Sequence, residues 1–126
     1  MYEDERRSLV EVARLVAAED TKTFKIVVVR TGRDAGTLVD LLIRSLGAAK
    51  KSITQLGYVA SDEQNASLLR KRNPIVVVPM DILANRPCVF YPPPGTAQVA
   101  IIQGTKEPVQ VRHQPCSDES FTLQKL

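Results

Sequence analysis

The residues best placed to do chemistry are Thr31, Gly32 and Arg33, within the run Thr31-Gly32-Arg33-Asp34-Ala35-Gly36-Thr37. A Gly- and Thr-bearing loop of this kind can turn successive backbone N–H groups toward a phosphate at the head of a helix. The run sits between a β-branched stretch and an amphipathic one, where α/β folds place ligands. It is not a Walker A loop, because the Lys-Ser/Thr ending and the four-residue gap between glycines are both missing. Nor is it the dinucleotide fingerprint. The simpler reading is a tight strand-to-helix turn with an exposed Arg33, and the sequence favours that one.

The remaining candidates are weaker. His113 is the single histidine, and the groups near it (Cys116, Ser117 and Asp118) share its polar stretch. Such a stretch lacks the rigid support that a catalytic triad needs. Cys88, Cys116 and His113 have no metal-ligand spacing, so no metal and no cofactor is expected. Asp62 and Glu63 resemble paired carboxylates, yet they fall in the first turn of an expected helix, where acids complement its dipole. Arg70-Lys71-Arg72 closes the same helix, as cations should, and no aromatics interleave it for base stacking. No catalytic residue is expected.

The elements that must carry these residues follow from periodicity. Leu9, Val12, Ala13 and Val16 recur at helical steps and predict a helix over residues 5–18. Phe24 to Arg30 is continuous and β-branched, the pattern of a strand covered on both faces. A helix over 35–46 follows, with Asp34 as its expected cap, Leu38, Leu41, Leu42 and Leu46 as its apolar stripe, and Gly47 as its stop. Next come an expected strand over 55–60, a helix from the Ser61/Gln64 capping box to about Lys71, and a buried strand from Ile75 to Val78. This alternation predicts an α/β fold in three layers, with a mostly parallel sheet and helices on both faces.

Past Asp81 the pattern changes. Prolines and glycines punctuate short β-prone runs, Cys88 to Tyr91, Gln98 to Gln103 and Val109 to His113. They read as a C-terminal β-hairpin segment, with Thr105 to Pro108 as its turn. The expected organisation is a core over 1–86, a β-hairpin extension over 87–113 and a flexible tail over 114–126.

Composition narrows the function classes. Hydrophobic residues at 44% and charged residues at 25% are ordinary for one globular domain of 126 residues. The formal charge of +3 is mild and dispersed, so nucleic-acid binding is permitted but not indicated. The longest apolar runs are far too short to span a membrane. Met1 to Glu5 is acidic where a secretory signal is basic, which sets the expectation of a cytoplasmic protein with reduced thiols.

Laid end to end, residues 8 to about 86 resemble the C-terminal half of the MinD/ParA-like P-loop ATPases. The nearest likeness is to the branch that controls flagellar number (FleN/FlhG). The residues that carry it are Leu56-Gly57-Tyr58-Val59-Ala60-Ser61-Asp62-Glu63 and Arg70-Lys71-Arg72-Asn73-Pro74-Ile75-Val76-Val77-Val78-Pro79. The chain departs from that family where catalysis resides. No Walker A lysine, Mg²⁺-binding acid or switch loop is matched, Arg30 stands near the family's Asn, and Ala60 near its Pro. The resemblance therefore implies a catalytically inactive relative, with a role in flagellar or cell-pole organisation.

Two functions are carried forward. The first is a non-enzymatic regulatory or assembly protein whose partner, another protein or a second copy, meets Val99, Ile101, Ile102, Val109 and Val111 along an exposed strand edge. The alternative is a sensor for a nucleotide or phosphometabolite, held by Thr31, Gly32, Arg33 and Asp62.

Overall fold

The computed structural model describes residues 2–47, 52–56, 73–85, 88–90, 92, 96–105, 113–117 and 120–123. It opens with α1 (Tyr2–Ala18), whose buried stripe is Leu9, Val12, Ala13 and Val16. Asp20 closes the turn that follows, its Oδ1 accepting from the Lys22 N–H at 2.7 Å and its carbonyl from Thr23 N–H at 2.9 Å. β1 (Phe24–Val29) is buried at every position. Then come α2 (Gly32–Leu46), β2 (Ile53–Gln55), β3 (Ile75–Pro79) and the short α3 (Met80–Asn85). The chain continues with β4 (Cys88–Phe90), β5 (Gln98–Ile102), β6 (His113–Ser117) and β7 (Ser120–Leu123).

Four strands form one parallel sheet in the order β2-β3-β1-β5. In register, Val27 of β1 lies between Val77 of β3 and Ile101 of β5. Side chains alternate across the sheet, so β1 feeds two cores. Val27 and Val29 face α1 and α2, meeting Val12, Leu38 and Leu42. Phe24, Ile26 and Val28 face the opposite layer, where Leu83 of α3 and Phe90 of β4 pack. The Phe24 and Phe90 rings meet edge to face, with centroids 6.4 Å apart. The expected α/β architecture, a parallel sheet with helices on both faces, is what the chain adopts. No helix among the described residues is long and apolar enough to cross a membrane.

Three local expectations change. The helix after β1 starts at Gly32, not 35, because Thr31 is the cap: it is extended (φ −138°, ψ 163°), and its Oγ1 accepts from Asp34 N–H at 3.0 Å. Gly47 ends that helix with φ +63°, as expected. The second strand lies at Ile53–Gln55, ahead of the expected 55–60, and the helix expected over 61–71 lies outside the described residues. Gln98–Ile102 is no arm of a hairpin but the fourth parallel strand, Phe24 lying opposite Gln98 and Val28 opposite Ile102. Its Ala100 and Ile101 are apolar on consecutive positions and are covered on both sheet faces, as in β1.

The expected tail holds strands as well. β7 pairs antiparallel with β4 (Phe90 opposite Phe121) and with β6, giving a separate sheet in the order β4-β7-β6. The reason lies in Ser120-Phe121-Thr122-Leu123, which alternates polar and apolar residues and so suits a strand with one covered face.

Candidate ligand groove at the head of the second helix

In this sheet the chain leaving β1 travels to β2, beyond β3, while the chain leaving β3 travels to β5, beyond β1. The two connections leave adjacent strands for opposite faces of the sheet, one bearing α2 and the other α3, which makes the carboxyl ends of β1 and β3 a topological switch point. α2 begins there. Its first turn is already occupied by its own cap: Thr31 Oγ1 takes the Asp34 N–H, and the Thr31 carbonyl takes the Ala35 N–H at 3.1 Å.

A second set of bonds fixes the start of α1 against the same end of the sheet. Gln103, just past β5, is only 4% exposed. Its Oε1 accepts from the Arg30 N–H at 2.9 Å, and its Nε2 donates to Ser8 Oγ at 2.8 Å. The Ser8 hydroxyl in turn donates to the Glu5 carbonyl at 2.8 Å. One buried amide thus joins β1, β5 and the first turns of α1. Gly104 follows with φ +92°, a backbone that disfavours other residues, and a Cβ there would stand 3.3 Å from Arg30 Nη2.

Between the two helices this arrangement leaves an open groove of about 370 Å³. Leu9 and Leu41 give it an apolar strip. Glu5 and Arg6 come from α1, while Arg33, Asp34, Thr37, Asp40 and Arg44 come from successive turns of α2. Among the described lining residues, acids and bases balance at three each. The Thr37 hydroxyl donates to the Arg33 carbonyl at 3.1 Å, which leaves its proton with a backbone acceptor and not with a base.

Asp34 is the unusual member. It is 8% exposed, and its backbone N–H is satisfied by Thr31. Its carboxylate meets no hydrogen-bond donor or cation among the described residues. The positive end of α2 favours an acid in the first turn. That favour does not replace the direct partners a carboxylate needs when water is largely withdrawn.

Of the residues singled out by sequence, Thr31, Gly32 and Arg33 do come together in one turn. Thr31 is engaged as the cap, Gly32 is the first helical residue, and Arg33 lines the groove. Asp62 lies outside the described residues, as do Val109 and Val111. Val99, Ile101 and Ile102 lie on β5, an edge strand of the parallel sheet, where the Ile101 side chain is wholly buried in the core and Val99 and Ile102 are half-buried.

Sequence reasoning missed Asp34 as a site residue, along with Glu5, Arg6, Asp40 and Arg44. The available signal was the stripe Arg33, Thr37, Asp40 and Arg44 along one helix face, which reads equally as a solvated surface. Among the described residues no group of three or more His, Cys, Asp and Glu side chains is placed to hold a metal ion. No family model, curated protein or solved structure matches the chain.

Proposed function

We propose that this chain is a non-enzymatic sensor domain that binds a small molecule in the α1–α2 groove. The observation that carries the reading is Asp34, a residue nine-tenths buried in the wall of a groove, whose carboxylate the described residues supply with no partner. A volume of about 370 Å³ stands at the lower end of the roughly 300–1,000 Å³ typical of ligand pockets. That size suits a small metabolite. The nucleotide version of the reading, drawn from the Thr31-Gly32-Arg33 loop, is less well served. Thr31 already takes one of the free N–H groups at the α2 head, and Asp34 opposes a phosphate there.

The experiment is amide chemical-shift mapping of the ¹⁵N-labelled chain against the small-molecule filtrate of a cell extract. Shifts confined to residues 5–9 and 33–44 are the expected result. An unperturbed spectrum overturns the reading. If light scattering then shows an oligomer whose size ignores added metabolites, the assembly function takes its place, with residues 106–112 as the next segment to delete.

A further inference from the structure

The charge arrangement of the groove narrows the class of ligand, and the argument rests on the sensor reading above. A bare anion entering it would face Glu5, Asp34 and Asp40, while a bare cation would face Arg6, Arg33 and Arg44. Either would leave one set of wall charges worse off, since like charges at close range oppose binding. Only a ligand bearing both signs satisfies both sets.

Placement says which sign goes where. Asp34 is the withdrawn charge, and a carboxylate held that way calls for a donor close enough for a charge-assisted hydrogen bond. Arg6 is exposed and lines the groove from the other helix, two residues before Ser8, which Gln103 ties to Arg30 just ahead of α2. Its guanidinium presents a flat fork of donors that matches a carboxylate or phosphate. We propose that the groove binds a small zwitterion of the amino-acid class, its ammonium group on the Asp34 carboxylate and its acid group on Arg6. Leu9 and Leu41 offer the apolar strip against which its side chain lies. The volume suits a molecule of that size, and the balanced charges of the described lining residues disfavour a triphosphate.

The test is a set of titrations followed by amide shifts, with each proteinogenic L-amino acid and O-phosphoethanolamine on one side and inorganic phosphate and ATP on the other. At least one zwitterion is expected to saturate shifts at residues 5–9 and 33–37. N-acetylation of an amino acid that binds, which removes its ammonium charge, is expected to weaken it about tenfold or more, the scale of one charged hydrogen bond. Asp34→Asn should weaken it comparably while the rest of the spectrum keeps its native dispersion. The acetylated ligand makes the same test on the unaltered protein, should that variant fold poorly. Saturation by phosphate or ATP but by no zwitterion overturns the ligand class and leaves the sensor reading standing. So does affinity that ignores N-acetylation. Silence from every compound removes the zwitterion, and the extract mapping then decides the sensor reading by itself.

Discussion

Each end of the parallel sheet buries one charged side chain, and the two are treated in opposite ways. At the amino end Lys25, 3% exposed, folds its Nζ back onto the Asp20 carbonyl at 2.8 Å and the Thr23 carbonyl at 2.9 Å. Glu19 and Asp20 stand close enough to favour its charge. At the carboxyl end Asp34 is nearly as well buried, and the described residues give its carboxylate no partner. A buried ion whose hydrogen bonds are made within the chain is part of the scaffold; one left unpaired is a cost that a bound ligand can relieve. The amino end is a closed structural joint. The carboxyl end is where an outside molecule has something to gain.

The largest expected effect ignores this difference. Leu38 is fully buried in the layer beneath both ends, and Leu38→Ala should cost about 2–5 kcal/mol in urea denaturation. Amide exchange should accelerate at both ends together. Protection that survives at one end alone would mean that the ends unfold as separate units. A smaller effect should be confined to one end. Gln103→Ala leaves the Arg30 N–H and Ser8 without their amide partner, a loss of about 1–3 kcal/mol. Its fast exchange should appear at residues 5–9 and 30–35 and spare the Asp20–Lys25 turn. Uniform acceleration would show that the Gln103 bonds do not set the carboxyl end apart.

How far the sequence foretells these two ends differs for a physical reason. The runs Ile26 to Val29 and Ile75 to Val78 are β-branched without a break, and both are core strands. The local pattern carries the whole message there. Val99 to Ile102 is likewise apolar without a break, yet neighbouring prolines and glycines suggest a hairpin, and only its pairing with β1 corrects that. The site is less legible still. An acid in the first turn of a helix is unremarkable, and what makes Asp34 distinct is burial in a groove whose other wall is α1. That wall is fixed by a bond between Ser8 and Gln103, 95 positions apart in the chain. No window of sequence contains both residues.

The cap gives a finer contrast. Thr31→Ala removes the acceptor for Asp34 N–H and should cost about 1 kcal/mol, measured by thermal unfolding. Because the cap shapes the first turn of α2, the same variant should weaken any ligand that requires Asp34. If stability falls while ligand affinity stays unchanged, the head of α2 lies outside the site.

The subtlest prediction concerns Lys25, whose pKa is pushed below the ordinary lysine value by burial, against the pull of Glu19 and Asp20. Burial is the larger influence, which decides the sign of the pH dependence. Between the lowered folded pKa and the ordinary value near 10.4, the unfolded chain holds more of this proton than the native one does. Stability contributed by this group therefore rises with pH across that window, and the desolvation cost is fully present below it. Lys25→Met keeps the aliphatic stem and removes the titration. The difference in unfolding free energy, native sequence minus variant, should therefore increase as the pH is raised toward that of free lysine, most simply read as a widening gap in urea midpoints. A gap that moves the other way would mean that the two carbonyls and two acids outweigh burial. Lys25 would then be a stabilised ion, and the amino end would contrast with Asp34 more sharply still.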